Sequence, residues 1–153
     1  MRRQDKEMRD PALIRATLEE ALVCRVAMVD GDRPYLLPFS FVVEGDNLYV
    51  HCAAHGRKLE VLRRNPHVCV EVDADVAVVP ARASCDVGLR FRSVLGFGDV
   101  TFVEDPAEKA RVLRLFILKY TPKGSMEMPA HEIAKTVLFR VALERLTGKR
   151  SGR

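Results

Sequence analysis

A small closed or nearly closed β-barrel with helices packed at its ends is the fold this sequence predicts, and three observations predict it. About six or seven runs rich in β-branched and aromatic residues recur along the chain. Most are joined by tight turns bearing Gly, Asp or Asn, which favour antiparallel neighbours. Helix-start signals fall at the beginning, between strands and near the end, where helices can cover an antiparallel barrel. At 153 residues the chain has room for one domain with a real core and little room for two. Residues 1–153 therefore read as one domain, mainly β with α, with its core at about 11–147.

Asp10-Pro11 opens the first helix, a capping side chain followed by proline at the first helical position. Ile14, Leu18, Ala21 and Leu22 recur at three- and four-residue spacing, so 11–22 reads as a short amphipathic helix. Cys24 to Val29 is strand-like, Gly31-Asp32-Arg33-Pro34 is a turn, and Tyr35 to Val43 is a second extended run. Pro38 lies inside that run and has no N–H to give a ladder, so the strand must have an edge, a bulge or an unpaired stretch there. Glu44-Gly45-Asp46-Asn47 turns the chain into the strand Leu48 to Ala53. A helix over 57–64 follows, closed by Asn65-Pro66.

Val68, Val70 and Val72 alternate with His67, Cys69, Glu71 and Asp73, the pattern of a half-buried strand. Residues 80–87 read as a loop. Leu89 to Val103 reads as one long strand in which Gly96 and Gly98 mark a bend or a close backbone approach. Asp105-Pro106 begins another helix, with Leu113, Phe116, Ile117 and Tyr120 as its buried stripe and Thr121-Pro122 as its end. A loop of about a dozen residues, containing Gly124 and Pro129, leads to a last strand from Thr136 to Leu146, with Val137, Phe139, Val141 and Leu143 on one face.

Composition narrows the function classes. Apolar residues make up 48% of the chain and no low-complexity stretch interrupts it, which is a globular pattern. No apolar run approaches the length of a membrane span, and the N-terminus lacks a secretory apolar segment, so a soluble, cytoplasmic protein is expected, with no membrane partner. The net charge of +4 comes largely from Met1-Arg2-Arg3 and Gly148-Lys149-Arg150-Ser151-Gly152-Arg153, which read as solvated ends. Nucleic-acid binding is not expected, because no basic face with interleaved aromatics is built. Cys24, Cys52, Cys69 and Cys85 are widely spaced, so neither a zinc site nor a dithiol site is expected, and the thiols read as reduced.

Arg57 and Lys58 stand in the first turn of the helix 57–64. That turn presents free N–H groups and the positive end of the helix dipole, where acidic side chains are favoured. Two readings stand: a phosphate bound between them, as helix starts bind anions, or two side chains reaching into water.

Three segments are weighed together: Arg33-Pro34-Tyr35-Leu36-Leu37-Pro38-Phe39-Ser40-Phe41, His51 to Lys58, and Arg90-Phe91-Arg92-Ser93-Val94-Leu95-Gly96-Phe97-Gly98. With Cys24-Arg25-Val26-Ala27-Met28-Val29-Asp30, Arg63-Arg64-Asn65-Pro66-His67-Val68 and the closing Leu146-Thr147-Gly148-Lys149, their order and spacing make the chain resemble the flavin-binding split-barrel proteins of the pyridoxamine 5′-phosphate oxidase-like group. Within it, the nitroimidazole-reductase branch is the nearest likeness. The resemblance covers about residues 2–149.

That resemblance implies an FMN-binding split β-barrel and a homodimer with FMN in a cleft between the two subunits. It implies phosphate contacts from Gly56, Arg57 and Lys58, flavin-ring contacts from Leu36, Leu37, Pro38, Phe39 and Ser40, and further contacts from Arg92, Ser93, Val94 and Gly96 of one subunit or the other. It places His51 beside the flavin as both a cofactor contact and a candidate proton donor, a role suited to a near-neutral imidazole. His55 departs from the residue types usual before Gly-Arg-Lys. The implied activity passes electrons from a reduced nicotinamide through FMN to a small electron-poor acceptor such as a nitroimidazole. The alternatives are a non-catalytic flavin-binding or sensory dimer, and a split barrel that uses haem or a deazaflavin. Read from the residues alone, Arg90 and Arg92 are solvated charges, His51 is a structural histidine, and Gly96 and Gly98 serve barrel curvature as readily as a flavin contact. No metal site is expected.

Overall fold

Nine strands and four α-helices alternate among residues 3–81, 87–121 and 129–152, which the computed structural model describes. A single 3₁₀ turn (Gln4–Lys6) precedes β1 (Glu7–Met8), α1 (Pro11–Glu20), β2 (Cys24–Asp30), β3 (Arg33–Phe39), β4 (Val42–Glu44) and β5 (Asn47–Cys52). Then come α2 (Arg57–Arg64), β6 (His67–Val79), β7 (Gly88–Phe102), α3 (Pro106–Tyr120), α4 (Ala130–Lys135), β8 (Val137–Ala142) and β9 (Arg145–Ser151). No described helix is long and apolar enough to cross a membrane. Cys85, Pro122, Gly124 and most of the expected loop 80–87 lie outside the described residues.

Every strand pairing is antiparallel, and the ladder runs β3-β2-β6-β7-β8-β5-β4, with β9 on β7 and β1 on β9. The ladder does not close. β3 and β4 follow each other in sequence yet stand at opposite ends of it, so the chain crosses the split at Ser40–Phe41. Tyr120 spans that split: its oxygen accepts the Phe41 N–H at 2.8 Å, and its proton is within reach of the carbonyls of Leu22 (2.8 Å) and Phe41 (2.9 Å). A phenol hydroxyl thus replaces the strand partner that Phe41 lacks.

β7 carries the fold from one half to the other. Its first part pairs with β6 and β9, and its last residues pair with β8. Gly98 makes that turn possible, because a Cβ there would lie 1.9 Å from the Ala142 carbonyl oxygen. The expected close backbone approach is therefore real, and it fixes where β7 passes β8.

Two apolar layers result. The barrel interior is filled by Val26, Val50, Val70, Val72, Phe139 and Val141, with Leu18 of α1, Ala21 just after it, and Val61 and Leu62 of α2 closing its ends. A second layer, of Val42, Tyr49, Val103, Val112, Phe116 and Leu138, lies between α3 and the outer side of the β4-β5-β8 sheet. β5 and β8 are thus buried on both faces, so Leu138 is covered as fully as Phe139.

The helix starts follow the expected chemistry. The Asp10 carboxylate accepts the Ala12 N–H, and the Asp105 carboxylate accepts those of Ala107 and Glu108. Pro38 does lie on an edge strand, opposite Arg25.

Several expectations need correction. α1 stops at Glu20, the chain leaves it extended at Ala21, and Leu22 turns out to solvent instead of joining the buried stripe. β6 runs on to Val79 past a bulge at Asp75, whose φ is +54°. Residues 130–135 form α4 where a loop was expected. The last strand is two strands: the chain turns at Leu143 and Glu144, whose N–H groups bond to Asp46 and Phe97 carbonyls. The basic tail is not a solvated end, because β9 pairs with β7 as far as Ser151 and with β1 at Gly148 and Lys149.

Candidate functional site

Gly56 caps α2 from a conformation, φ +124° and ψ 161°, that side-chain-bearing residues rarely adopt. No side chain caps this helix start. A Cβ on Gly56 would point toward Lys58 Nζ at 3.8 Å, so the lysine ammonium arches over the glycine. The positive pole of α2, bare backbone and an ammonium therefore share one concave spot, whose donors suit a phosphate.

Part of the electrostatic conflict at this helix start is resolved by the chain itself. Asp30, at the end of β2, accepts Arg57 Nε and Arg64 Nη2, each at 2.7 Å. These bonds, that from Arg57 first, hold the Asp30 carboxyl below the usual carboxylate range. The Arg57 guanidinium also lies 5.1 Å from the centre of the Tyr35 ring. Arg57 is thus aimed by Asp30 and Tyr35, and two guanidinium groups, those of Arg57 and Arg64, share one carboxylate. The positive surplus is what an anionic ligand would neutralise.

Seven residues before Lys58, His51 occupies the end of β5 and turns toward α3, as the alternation with Tyr49 requires. Its ring meets Phe116 edge to face at 4.4 Å, and Phe116 stacks on Tyr120 at 6.0 Å. His51 keeps an exposed side, and the partial desolvation on its Phe116 side pushes the imidazole below its ordinary value. His51 and Ser40 both line a cavity of about 610 Å³ bounded by α3, α4 and the split of the barrel. This volume lies within the range of small-molecule sites.

The remaining candidate residues divide. Leu36 and Pro38 face outward on the edge strand, while Leu37 and Phe39 turn inward, Phe39 against Phe139 at 6.0 Å. Arg92 is drawn away from the cavity by Glu20 and Thr17 of α1. Ser93 lies opposite Asp73 and Lys149 on the outer face. Val94 is buried in the core, and Gly96 is pressed by Leu143 and Leu146, whose methyl carbons would lie 3.0 and 2.9 Å from a Cβ. These β7 residues do not line the cavity with Ser40 and His51 within one chain. His55 is exposed.

Three contributors escaped the sequence reading. Asp30 carried no local signal, because its role depends on β2 ending beside α2. Glu132 and Thr136 line the cavity from the α4 segment. That helix was detectable: proline precedes it, Glu132 sits in its first turn and Lys135 in its last. Among the described residues no group of His, Cys, Asp and Glu is arranged to hold a metal, and Cys24, Cys52 and Cys69 are free thiols. Burial pushes Cys24 up to about 12.

A family model described as pyridoxamine 5′-phosphate oxidase matches residues 10–150. A search of curated proteins gives no match. Solved structures do match. A candidate 5-nitroimidazole antibiotic resistance protein from Bacteroides thetaiotaomicron is 29% identical, with 94% of this chain and 86% of that one covered and a TM-score of 0.83. The flavocytochrome Anf3 of Azotobacter vinelandii is 25% identical over 100% of this chain and 72% of that one, with a TM-score of 0.85. A FAD- and haem-binding protein from Mycobacterium smegmatis is 25% identical over 97% and 74%, with a TM-score of 0.81.

Proposed function

The chain belongs to the pyridoxamine 5′-phosphate oxidase family, and from that membership we propose that it is an FMN-dependent oxidoreductase acting on a small electron-poor molecule such as a nitroimidazole. The observation that carries this reading is the uncapped Gly56 start of α2 with Lys58 arched over it, a short distance along the chain from His51 at the cavity. Flavin-binding structural relatives support the cofactor class.

Gly56, Arg57 and Lys58 would hold the phosphate: the backbone N–H groups give direction, and the two side chains give charge. The edge strand would support the flavin ring through Leu36, Pro38 and Ser40, where proline leaves backbone free of ladder bonds. FMN, when bound, supplies hydride chemistry between a reduced nicotinamide and the acceptor. His51 then donates a proton from an imidazole nitrogen to the reduced acceptor. Its lowered basicity leaves less of it protonated near neutrality while making each imidazolium a stronger acid, and the Phe116 ring meets it edge to face. Phe116, Leu113 and Ile117 keep water from that face of the cavity.

A second copy of the chain completes the site in this reading. Leu36, Ala27, Cys69 and Phe97 lie side by side across four adjacent strands on the outer face of the sheet. Leu36 is 56% exposed and Phe97 43% exposed there, with Val29 beside them at 46%. Such a row is suited to burial against the same row of a partner. That arrangement would bring Ser93 of a second copy within reach of the cofactor, which one chain does not do alone. Sedimentation of the flavin-loaded protein as a monomer would remove the shared site.

A second reading keeps the fold and takes haem, alone or beside flavin; the observation that favours it is an imidazole lining a large apolar cavity. One absorption spectrum separates the two. The expected result is a flavin spectrum that NADH or NADPH bleaches and a nitroimidazole restores. Protein that is colourless and takes up no FMN contradicts the proposal, and bound flavin without turnover favours a sensory dimer.

A further inference from the structure

Arg57 meets Asp30 through Nε alone, and the Tyr35 ring lies against the face of its guanidinium. One edge and one face of the planar group are thereby used. Among the described residues neither Nη nitrogen of Arg57 has an acceptor, so the outer edge of the fork keeps its N–H donors. That edge can grip two oxygens of a phosphate at once. A carboxylate this close would ordinarily cancel the arginine's charge and oppose a phosphate. Here the other carboxylate oxygen accepts Arg64 Nη2 at 2.7 Å, and Arg64 is tied in turn through Nε to the Glu60 carbonyl at 3.3 Å. Two guanidinium groups on one carboxylate leave a net positive charge. The Asp30 side chain is 14% exposed and both arginines are more than half exposed, so the carboxylate is the anchored member.

We propose that Asp30 and Arg64 are a positioning pair for the cofactor phosphate: Asp30 holds Arg57 with its outer edge free, and Arg64 cancels the carboxylate charge that would otherwise oppose the phosphate. The inference rests on the phosphate site of the proposed function and gives neither residue a contact with FMN. Without Asp30, the exposed Arg57 side chain loses its anchor, and the phosphate must order it at the expense of rotamer freedom. Without Arg64, the Asp30–Arg57 pair is electrically neutral and offers a phosphate little attraction. Solvent screening of the two arginines keeps each effect to about three- to tenfold in affinity.

FMN and riboflavin differ only in the phosphate, so both are titrated at low salt by flavin fluorescence into the parent and four variants. These are Asp30→Ala, Asp30→Asn, Arg64→Gln and the double variant Asp30→Asn with Arg64→Gln. Asp30→Ala should weaken FMN about three- to tenfold and leave riboflavin unmoved. Asp30→Asn keeps an oxygen for Arg57 Nε and should bind FMN at least as tightly as the parent. Arg64→Gln should weaken FMN by a similar factor, and that loss should shrink in the Asp30→Asn background, where no carboxylate charge is left to cancel. Undiminished FMN affinity in Asp30→Ala, no rescue by Asp30→Asn, or an Arg64→Gln loss as large in the Asp30→Asn background as in the parent overturns the proposal. Riboflavin weakened in step with FMN also overturns it, since the pair would then only brace β2 against α2. A parent that takes up no FMN sinks the flavin reading instead, and inorganic phosphate, followed by NMR at the Arg57 Nε–H, then decides. A response that Asp30→Ala loses and Asp30→Asn keeps supports the pair, and any other result, including no response in the parent, overturns it.

Discussion

Gly56→Ala separates the backbone of the proposed phosphate cradle from its charges. At φ +124° and ψ 161° the residue lies in a region that only glycine enters readily, and an alanine held there would cost about 1–3 kcal/mol. Space is not the obstacle, because the nearest atom to the new Cβ is Lys58 Nζ at 3.8 Å, an ordinary contact. The cost is conformational, and the chain can relieve it only by rotating Gly56 and turning the first N–H groups of α2. For a domain of this size each kcal/mol moves the melting temperature by about 2–4 °C, so a loss of about 2–12 °C is expected. FMN should bind about 10- to 100-fold more weakly, since hydrogen bonds to a charged group are worth about 1.5–3 kcal/mol. Thermal unfolding without flavin and fluorescence titration with FMN read the two effects separately. A melting temperature within about a degree of the parent, together with unchanged FMN affinity, would refute the reasoning.

Gly98→Ala drives a Cβ into the Ala142 carbonyl, and since backbone rather than a flexible side chain stands in the way, the loss should reach about 3 kcal/mol in urea unfolding; a loss below about 1 kcal/mol contradicts the close approach. His51 has a lowered folded value, so its contribution to stability is complete above the unfolded value of about 6.5 and is lost as pH falls through the folded one. His51→Phe should therefore flatten the decline of the urea midpoint below about pH 6.5, and an identical decline in both proteins would show that His51 is not desolvated. Tyr120→Phe leaves the Phe41 N–H without its acceptor at the split and should cost about 1–3 kcal/mol, read by the same urea titration; no loss would mean that another group satisfies Phe41.

Local signals were legible where the chemistry is local. Asp10-Pro11 and Asp105-Pro106 marked two helix starts because capping needs only neighbouring residues. Pro38 marked an interruption of the ladder because proline removes a donor, and the fold resolves it as an edge. What failed depended on distant segments. β8 looked one-faced because periodicity cannot reveal that α3 covers its other side, where Leu138 is buried. The tail Gly148–Ser151 looked like a charged end because pairing with β7, which supplies its partners, leaves no mark in its own composition. The candidate site shows the same division. The helix start at Gly56 with Arg57 and Lys58 in its first turn and the orientation of His51 could be read along the chain, whereas Asp30 and the Phe116–His51 contact required the folded backbone. Arg92 illustrates the converse: the resemblance implied a flavin contact for it, whereas Glu20 on α1 holds its guanidinium within one chain.

Titration of FMN into protein carrying both Arg57→Ala and Lys58→Ala tests the phosphate site most directly. Flavin fluorescence should report an affinity about a hundredfold weaker or worse than the parent, because two charge-assisted contacts are gone while Gly56 and the barrel remain. Undiminished FMN affinity in a folded double variant would contradict the assignment and place the cofactor elsewhere.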